Sequence, residues 1–186
     1  MKPVAVLLLA IVPLGAQVVA PAAAPAALRV GGTPLGAGRI ATGTFTVLEK
    51  RFDQQLGSLF SVNDPLDLLG NTRGVYLDGY GVVFTAEVSP IVTPTLTPFR
   101  PKITPELAES VRKRKLERLP VIKTAMKEML RSMALTFIQV PDSQQMVLVV
   151  RFYYEQWENL NGVPSQILMR ADRKSAMTRD IHVDEQ

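Results

Sequence analysis

Cysteine is absent from this chain of 186 residues. Disulfides, thiol nucleophiles and zinc–thiolate centres are excluded together. Histidine is nearly absent: the one residue, His182, lies in a polar C-terminal stretch. A Ser–His–acid triad or a multi-histidine metal site therefore lacks its essential parts. There is no Gly-x-Ser-x-Gly elbow, no His-Glu-x-x-His helix and no dinucleotide fingerprint. The glycine-rich run Gly31–Arg39 lacks the Gly-Lys-Ser/Thr ending that a phosphate loop needs. Asp64 and Asp67 do not follow the alternating acidic pattern of a calcium loop. No cofactor and no metal are expected.

Long apolar runs are also missing, apart from one short block at the start. Lys2 precedes Val4–Val12, which is followed by Pro13, Gly15 and Ala16. One positive charge, a short greasy segment and small residues make the three-part pattern of a secretory signal. The block is shorter than the roughly 20 residues a membrane span requires. Cleavage is expected after Ala16, or as late as Ala26 at the Ala24-Pro25-Ala26 site. This predicts an exported protein, periplasmic or extracellular. An uncleaved leader acting as a tether is the alternative.

The formal net charge of +4 is too small to identify a partner. Residues 17–43 are rich in Ala, Pro and Gly and read as a linker. A single domain is expected over residues 44–172, followed by a polar tail over 173–186 that frays.

Within the domain, Leu48, Phe52, Leu56, Leu59 and Phe60 share one stripe of a helix at about 46–59. Thr46 and Glu49 have capping-box spacing at its start. Residues 73–88 read as a hairpin around Asp78-Gly79-Tyr80-Gly81, with Val82, Phe84, Ala86 and Val88 on one face. Five prolines between Pro90 and Pro105 make an extended connector. Thr104 and Pro105 then open a long helix to about residue 135. Its stripe runs Leu107, Val111, Leu116, Leu119, Ile122, Met126, Met129, Met133 and Phe137. Pro120 is expected to kink or split it. A second hairpin covers about 146–171. The predicted class is α+β: about four strands, antiparallel or mixed, with the helices packed on the sheet.

Four groups of side chains invite a functional reading. The basic run Arg112–Lys115 with Arg118, Lys123, Lys127 and Arg131 could meet anionic lipid, but interspersed Glu106, Glu109, Glu117 and Glu128 favour an ordinary solvated face. Nucleic acid is not expected, and membrane contact is confined to the leader or, weakly, this helix face. Aromatic residues around Phe152–Trp157 offer flat faces with polar tips. Trp157, just past the strand, is taken as the exposed one, with Tyr153 and, on the connector, Phe99 as further partner-binding candidates. Glu87 and Arg151, with Arg170 near them, are expected on the non-core side of the sheet as a cross-strand ion network. Asp78, Glu87, Glu155, Glu158 and Asp172 are nominal carboxylates for acid/base chemistry, without a spacing that supports it.

The leading expectation is an exported, non-catalytic envelope or periplasmic domain that binds a partner or organises an assembly. The alternatives are an exported carboxylate- or metal-dependent hydrolase and a membrane-tethered accessory protein.

Overall fold

A computed structural model describes residues 40–186 except Thr95, Arg100, Pro101 and Arg179. The leader, its cleavage sites and most of the linker lie outside the described residues. In chain order the elements are α1 (Thr42–Gly57), β1 (Asp67–Leu68), β2 (Arg73–Leu77), β3 (Gly81–Ser89), α2 (Pro105–Thr136), β4 (Gln145–Phe152), β5 (Gln166–Asp172), α3 (Arg173–Thr178) and β6 (His182–Glu185). The class is α+β with a mixed sheet, which has six strands among the described residues where about four are expected from the sequence. No described helix is long and apolar enough to cross a membrane.

β1 and β2 share one edge of β3, and β4, β5 and β6 follow on its other side. β3 and β4 run parallel, with Glu87 opposite Arg151, and every other pairing is antiparallel. A parallel neighbour requires a crossover, and α2 supplies it. The core follows from period-two alternation. Val82, Phe84, Ala86 and Val88 of β3 face the helices, with Met146, Leu148 and Val150 of β4 and Ile167 and Met169 of β5. Leu48, Phe52 and Leu56 of α1 and Ile122, Met126, Met129 and Met133 of α2 complete this cluster.

α1 starts four residues before the expected site. The Thr46 hydroxyl donates within the helix to the Thr42 carbonyl, so it is not a cap. The earlier start brings Phe45, half-buried, against the core, its ring 5.9 Å from Phe84 and 4.9 Å from Phe137. Glu49 does not close a capping box either. It accepts from the Gly74 N–H at 2.9 Å, and Asp53 accepts from the Thr72 N–H at 2.7 Å. These two carboxylates of α1 cover outward-pointing amides of the β2 edge, where a sheet would otherwise be open to pairing.

α2 is one helix through Pro120, neither split nor interrupted. A proline inside a helix costs about 3 kcal/mol. Buried apolar residues on both sides of it, from Val111 to Ala134, hold the helix against the sheet and outweigh that cost. Thr104 caps its start by accepting from the Leu107 N–H at 3.3 Å.

The C-terminal segment, read from the sequence as a polar tail, carries α3 and β6. Asp172 takes the cap position of α3, accepting from the backbone N–H and the hydroxyl of Ser175, each at 2.8 Å. Those bonds hold its carboxyl below the usual carboxylate range. The capping contribution is therefore present above the unfolded-state value and lost as the pH falls through the folded one. β6 then pairs with β5, and Lys123 of α2 reaches Glu185 at 2.6 Å. Replacing Asp172 with Ala is expected to cost about 0.5–2 kcal/mol, the usual range for a lost cap. Amide exchange across Arg173–Thr178 should rise well above that of β4; unchanged protection there would remove the cap from this account.

Candidate binding face of the sheet

The side of the sheet away from the helices carries the alternate residues of each strand. β2 gives Arg73, Val75 and Leu77, opposite Thr85, Val83 and Gly81 of β3. β4 gives Val147, Val149 and Arg151, opposite Arg170, Leu168 and Gln166 of β5. His182 and Asp184 of β6 continue the rows beyond Arg170 and Leu168. The pattern is a valine-rich centre with a charged rim. Val75 is 49% exposed and Leu77 45% exposed.

Glu87 and Arg151 come together as the alternation requires. They are register partners on β3 and β4 and line one shallow cleft of about 180 Å³ with Asn71 and Thr85. They do not close the expected ion network: neither has an ion-pair partner among the described residues. Arg170 is on the same face but pairs with Val147, not with Arg151. That offset is four residues of β4, or roughly 13 Å at 3.3 Å per residue.

Beyond Arg151 the sheet continues by one bond, from the Tyr153 N–H to the Val88 carbonyl at 2.9 Å. This carries Tyr153 onto the same outward face, where it is 46% exposed. It forms a wall of a groove of about 380 Å³ with Asp67, Leu69, Val92, Thr93 and Glu155. The groove sits at the carboxyl ends of the parallel pair β3 and β4. Two carboxylates, a threonine hydroxyl, a tyrosine ring and two aliphatic side chains meet there. The Leu69 N–H donates to the Glu87 carbonyl at 3.0 Å and so joins this groove to the Glu87–Arg151 cleft.

The rim is held from behind by a buried ion pair. Lys115 and Glu158 meet at 2.6 Å, their side chains 1% and 2% exposed. Glu158 also accepts from the Glu155 N–H at 2.9 Å, and the Lys115 ammonium lies 3.4 Å from the Tyr153 carbonyl. The same ammonium stands 4.6 Å from the centre of the Tyr154 ring. Burial pushes the Lys115 ammonium below its ordinary pKa, and Glu158 opposes the shift. Burial, with the Glu158 charge, pushes the Tyr154 hydroxyl up, and that hydroxyl donates to the Pro164 carbonyl.

The basic run on α2 is thus not a solvated face throughout. Lys115 and Arg118 are both buried. Arg118 donates to the Asp64 carbonyl at 2.8 Å and to the Pro65 carbonyl at 3.3 Å, and it pairs with the Asp64 carboxylate. Its guanidinium also lies 4.2 Å from the Phe60 ring centre. A hydrogen bond from Arg114, helped by Arg118, holds the Asp64 carboxyl below the usual range. Arg112 is taken by Glu109 and the Asn161 carbonyl.

Trp157 is not the exposed aromatic that its place past the strand suggests. It is half-buried, its indole nitrogen is buried without a partner among the described residues, and it does not line the groove. Phe99 is 99% exposed on the connector, also outside the groove. The nominated carboxylates are dispersed. Asp78 is in the β2–β3 turn, Glu87 in the cleft, Glu155 in the groove, Glu158 in the buried pair and Asp172 at the α3 cap. Asp67, the second acid of the groove, was not among them, because β1 is only two residues long and leaves no alternation to read.

No protein-family model, curated protein or solved structure matches this chain.

Proposed function

We propose that the chain is an exported, non-catalytic binding or assembly module of the envelope or periplasm that takes a protein partner on its outward sheet face. The observation that carries this reading is the groove at the ends of β3 and β4, where Tyr153, Asp67 and Glu155 meet beside exposed aliphatic residues. Tyrosine beside aliphatic surface and a polar rim is the make-up of a protein-binding patch. The leader pattern of Lys2, Val4–Val12 and Ala16 supports the setting. Two of the five carboxylates that hydrolysis could have used are committed elsewhere: Glu158 to Lys115 and Asp172 to Ser175.

A photo-crosslinking residue at Thr85, in intact cells, is expected to give discrete protein adducts. The same residue at Gln54, exposed on α1, should give few. Tyr153→Ala should reduce the Thr85 adducts at least fivefold with no change in the urea midpoint. Equal adducts from both positions, or adducts indifferent to Tyr153→Ala, would remove the sheet face from this role.

A further inference from the structure

A second cleft, of about 260 Å³, opens between α1 and α2. Arg51 and Gln55 contribute from adjacent turns of α1, and Glu128, Arg131, Ser132 and Thr136 from two turns of α2. Two of its polar atoms are buried without a hydrogen-bond partner among the described residues: Arg131 Nε and Gln55 Oε1. Buried polar atoms in folded proteins are almost always satisfied, so an orphan of each kind in one cleft calls for an explanation. Glu128 pairs with Arg131 at a different guanidinium nitrogen, at 3.9 Å, and so leaves Nε unserved.

We propose that this cleft binds a phosphate-type oxyanion. The two ends of a glutamine amide are interchangeable by rotation. Turned over, Gln55 presents an N–H₂ to the cleft. One oxyanion then accepts from both Gln55 and Arg131 Nε and leaves neither orphaned. Arg51 adds a second guanidinium from the opposite wall, and the Ser132 hydroxyl a further donor. Donors from two walls suit a tetrahedral group with several acceptor oxygens better than a planar carboxylate, and guanidinium donors suit phosphate in particular. Glu128 lines the same cleft as the two guanidinium groups and opposes an anion there, so the binding is modest and salt-sensitive. The phosphate can come from solution or from a lipid headgroup. Neither source depends on the sheet face or on the partner proposed for it.

The test uses the full chain, inorganic phosphate and vesicles. Titration with sodium phosphate at constant ionic strength, followed through the side-chain ¹⁵N signals of Gln55 and the arginines, should show saturable shifts at Gln55 Nε2 and Arg131 Nε. Arg51→Gln and Arg131→Gln should each weaken binding at least tenfold. Arg51 is exposed, so its replacement leaves the fold intact and keeps the result interpretable. Co-sedimentation with phosphatidic acid vesicles, but not with phosphatidylcholine vesicles, lost in both variants, would assign the headgroup as the source. Saturable binding of inorganic phosphate without vesicle retention would assign a soluble one. Absence of both, or binding unchanged in the two variants, overturns the site.

Discussion

Replacing Glu158 with leucine is expected to lower the free energy of unfolding by about 3–5 kcal/mol at pH 7, as when one member of a buried ion pair is removed. The ammonium of Lys115 stays in place with 1% side-chain exposure and loses its charge partner at 2.6 Å. What remains is the Tyr153 carbonyl at 3.4 Å, the face of Tyr154 at 4.6 Å and the weaker pull of the Glu155 charge. None of them replaces the direct partner of a desolvated charge. The double variant Lys115→Met, Glu158→Leu removes both charges and should recover most of the loss, because an apolar pair of similar volume often replaces a buried ion pair at little cost.

The pH dependence separates this account from simple loss of packing. Burial already sets the folded-state pKa of Lys115 below its ordinary value, and loss of Glu158 lowers it further, since Glu158 opposes the shift. Between that lowered value and the unfolded-state value the unfolded chain binds more protons, so stability rises with pH across the window. The deficit of Glu158→Leu against the parent should therefore shrink from pH 7 toward pH 10. Urea melts at several pH values measure it. A single variant costing under about 1 kcal/mol, or a deficit independent of pH, would mean that the pair is not desolvated as described. The groove is affected too, since Glu158 is the acceptor for the Glu155 amide at its rim.

How much of this was legible in the sequence depends on where each element sits. The alternation of Val82–Val88 marks a strand with one apolar face, and Met146–Phe152, apolar on both sides, marks a strand inside a sheet; the period-two spacing places Glu87 and Arg151 on the side away from the core. It cannot say that the two strands are parallel neighbours. That follows from α2 crossing back over the sheet, a long-range choice. Lys115 and Arg118 are a misreading with a visible signal. The buried stripe of α2 runs Val111, Lys115, Leu119, Ile122 at helical spacing. Two basic residues at core positions of that period demand buried partners, and charge runs are otherwise solvated. Glu158 and Asp64, far away in sequence, are those partners, and no local pattern points to them. β6 was hidden for the opposite reason. Its sequence, His-Val-Asp-Glu, is polar because an edge strand that must not recruit a neighbour is polar, and such a strand reads like a tail. The two-residue β1 and the opposed side chains of the α1–α2 cleft exist only once the helices and strands are assembled.

Gly81→Ala should be at least as damaging as the loss of Glu158, by about 3 kcal/mol or more, because it combines backbone strain with a collision inside the sheet. Gly81 has φ +139°, a region that side-chain-bearing residues rarely adopt. A Cβ there would overlap the Gln145 carbonyl oxygen and lie 2.7 Å from the Gln145 nitrogen. Neither atom can swing away. Gly81 opposite Gln145 is the first register pair of the parallel β3–β4 ladder, and the Gln145 N–H donates to the Tyr80 carbonyl at 2.8 Å. Relief of the clash must spread those strands, and with them the row that carries Val83 and Val147. Gly79, two residues earlier in the same turn, supplies the control. It has φ +74° but open space where its Cβ would go, so Gly79→Ala bears conformational strain alone, about 1–2 kcal/mol. Urea denaturation of both variants, with amide exchange across β3, distinguishes the two contributions. If Gly81→Ala is no worse than Gly79→Ala, the close approach of the hairpin to β4 is not what fixes the register of the parallel pair.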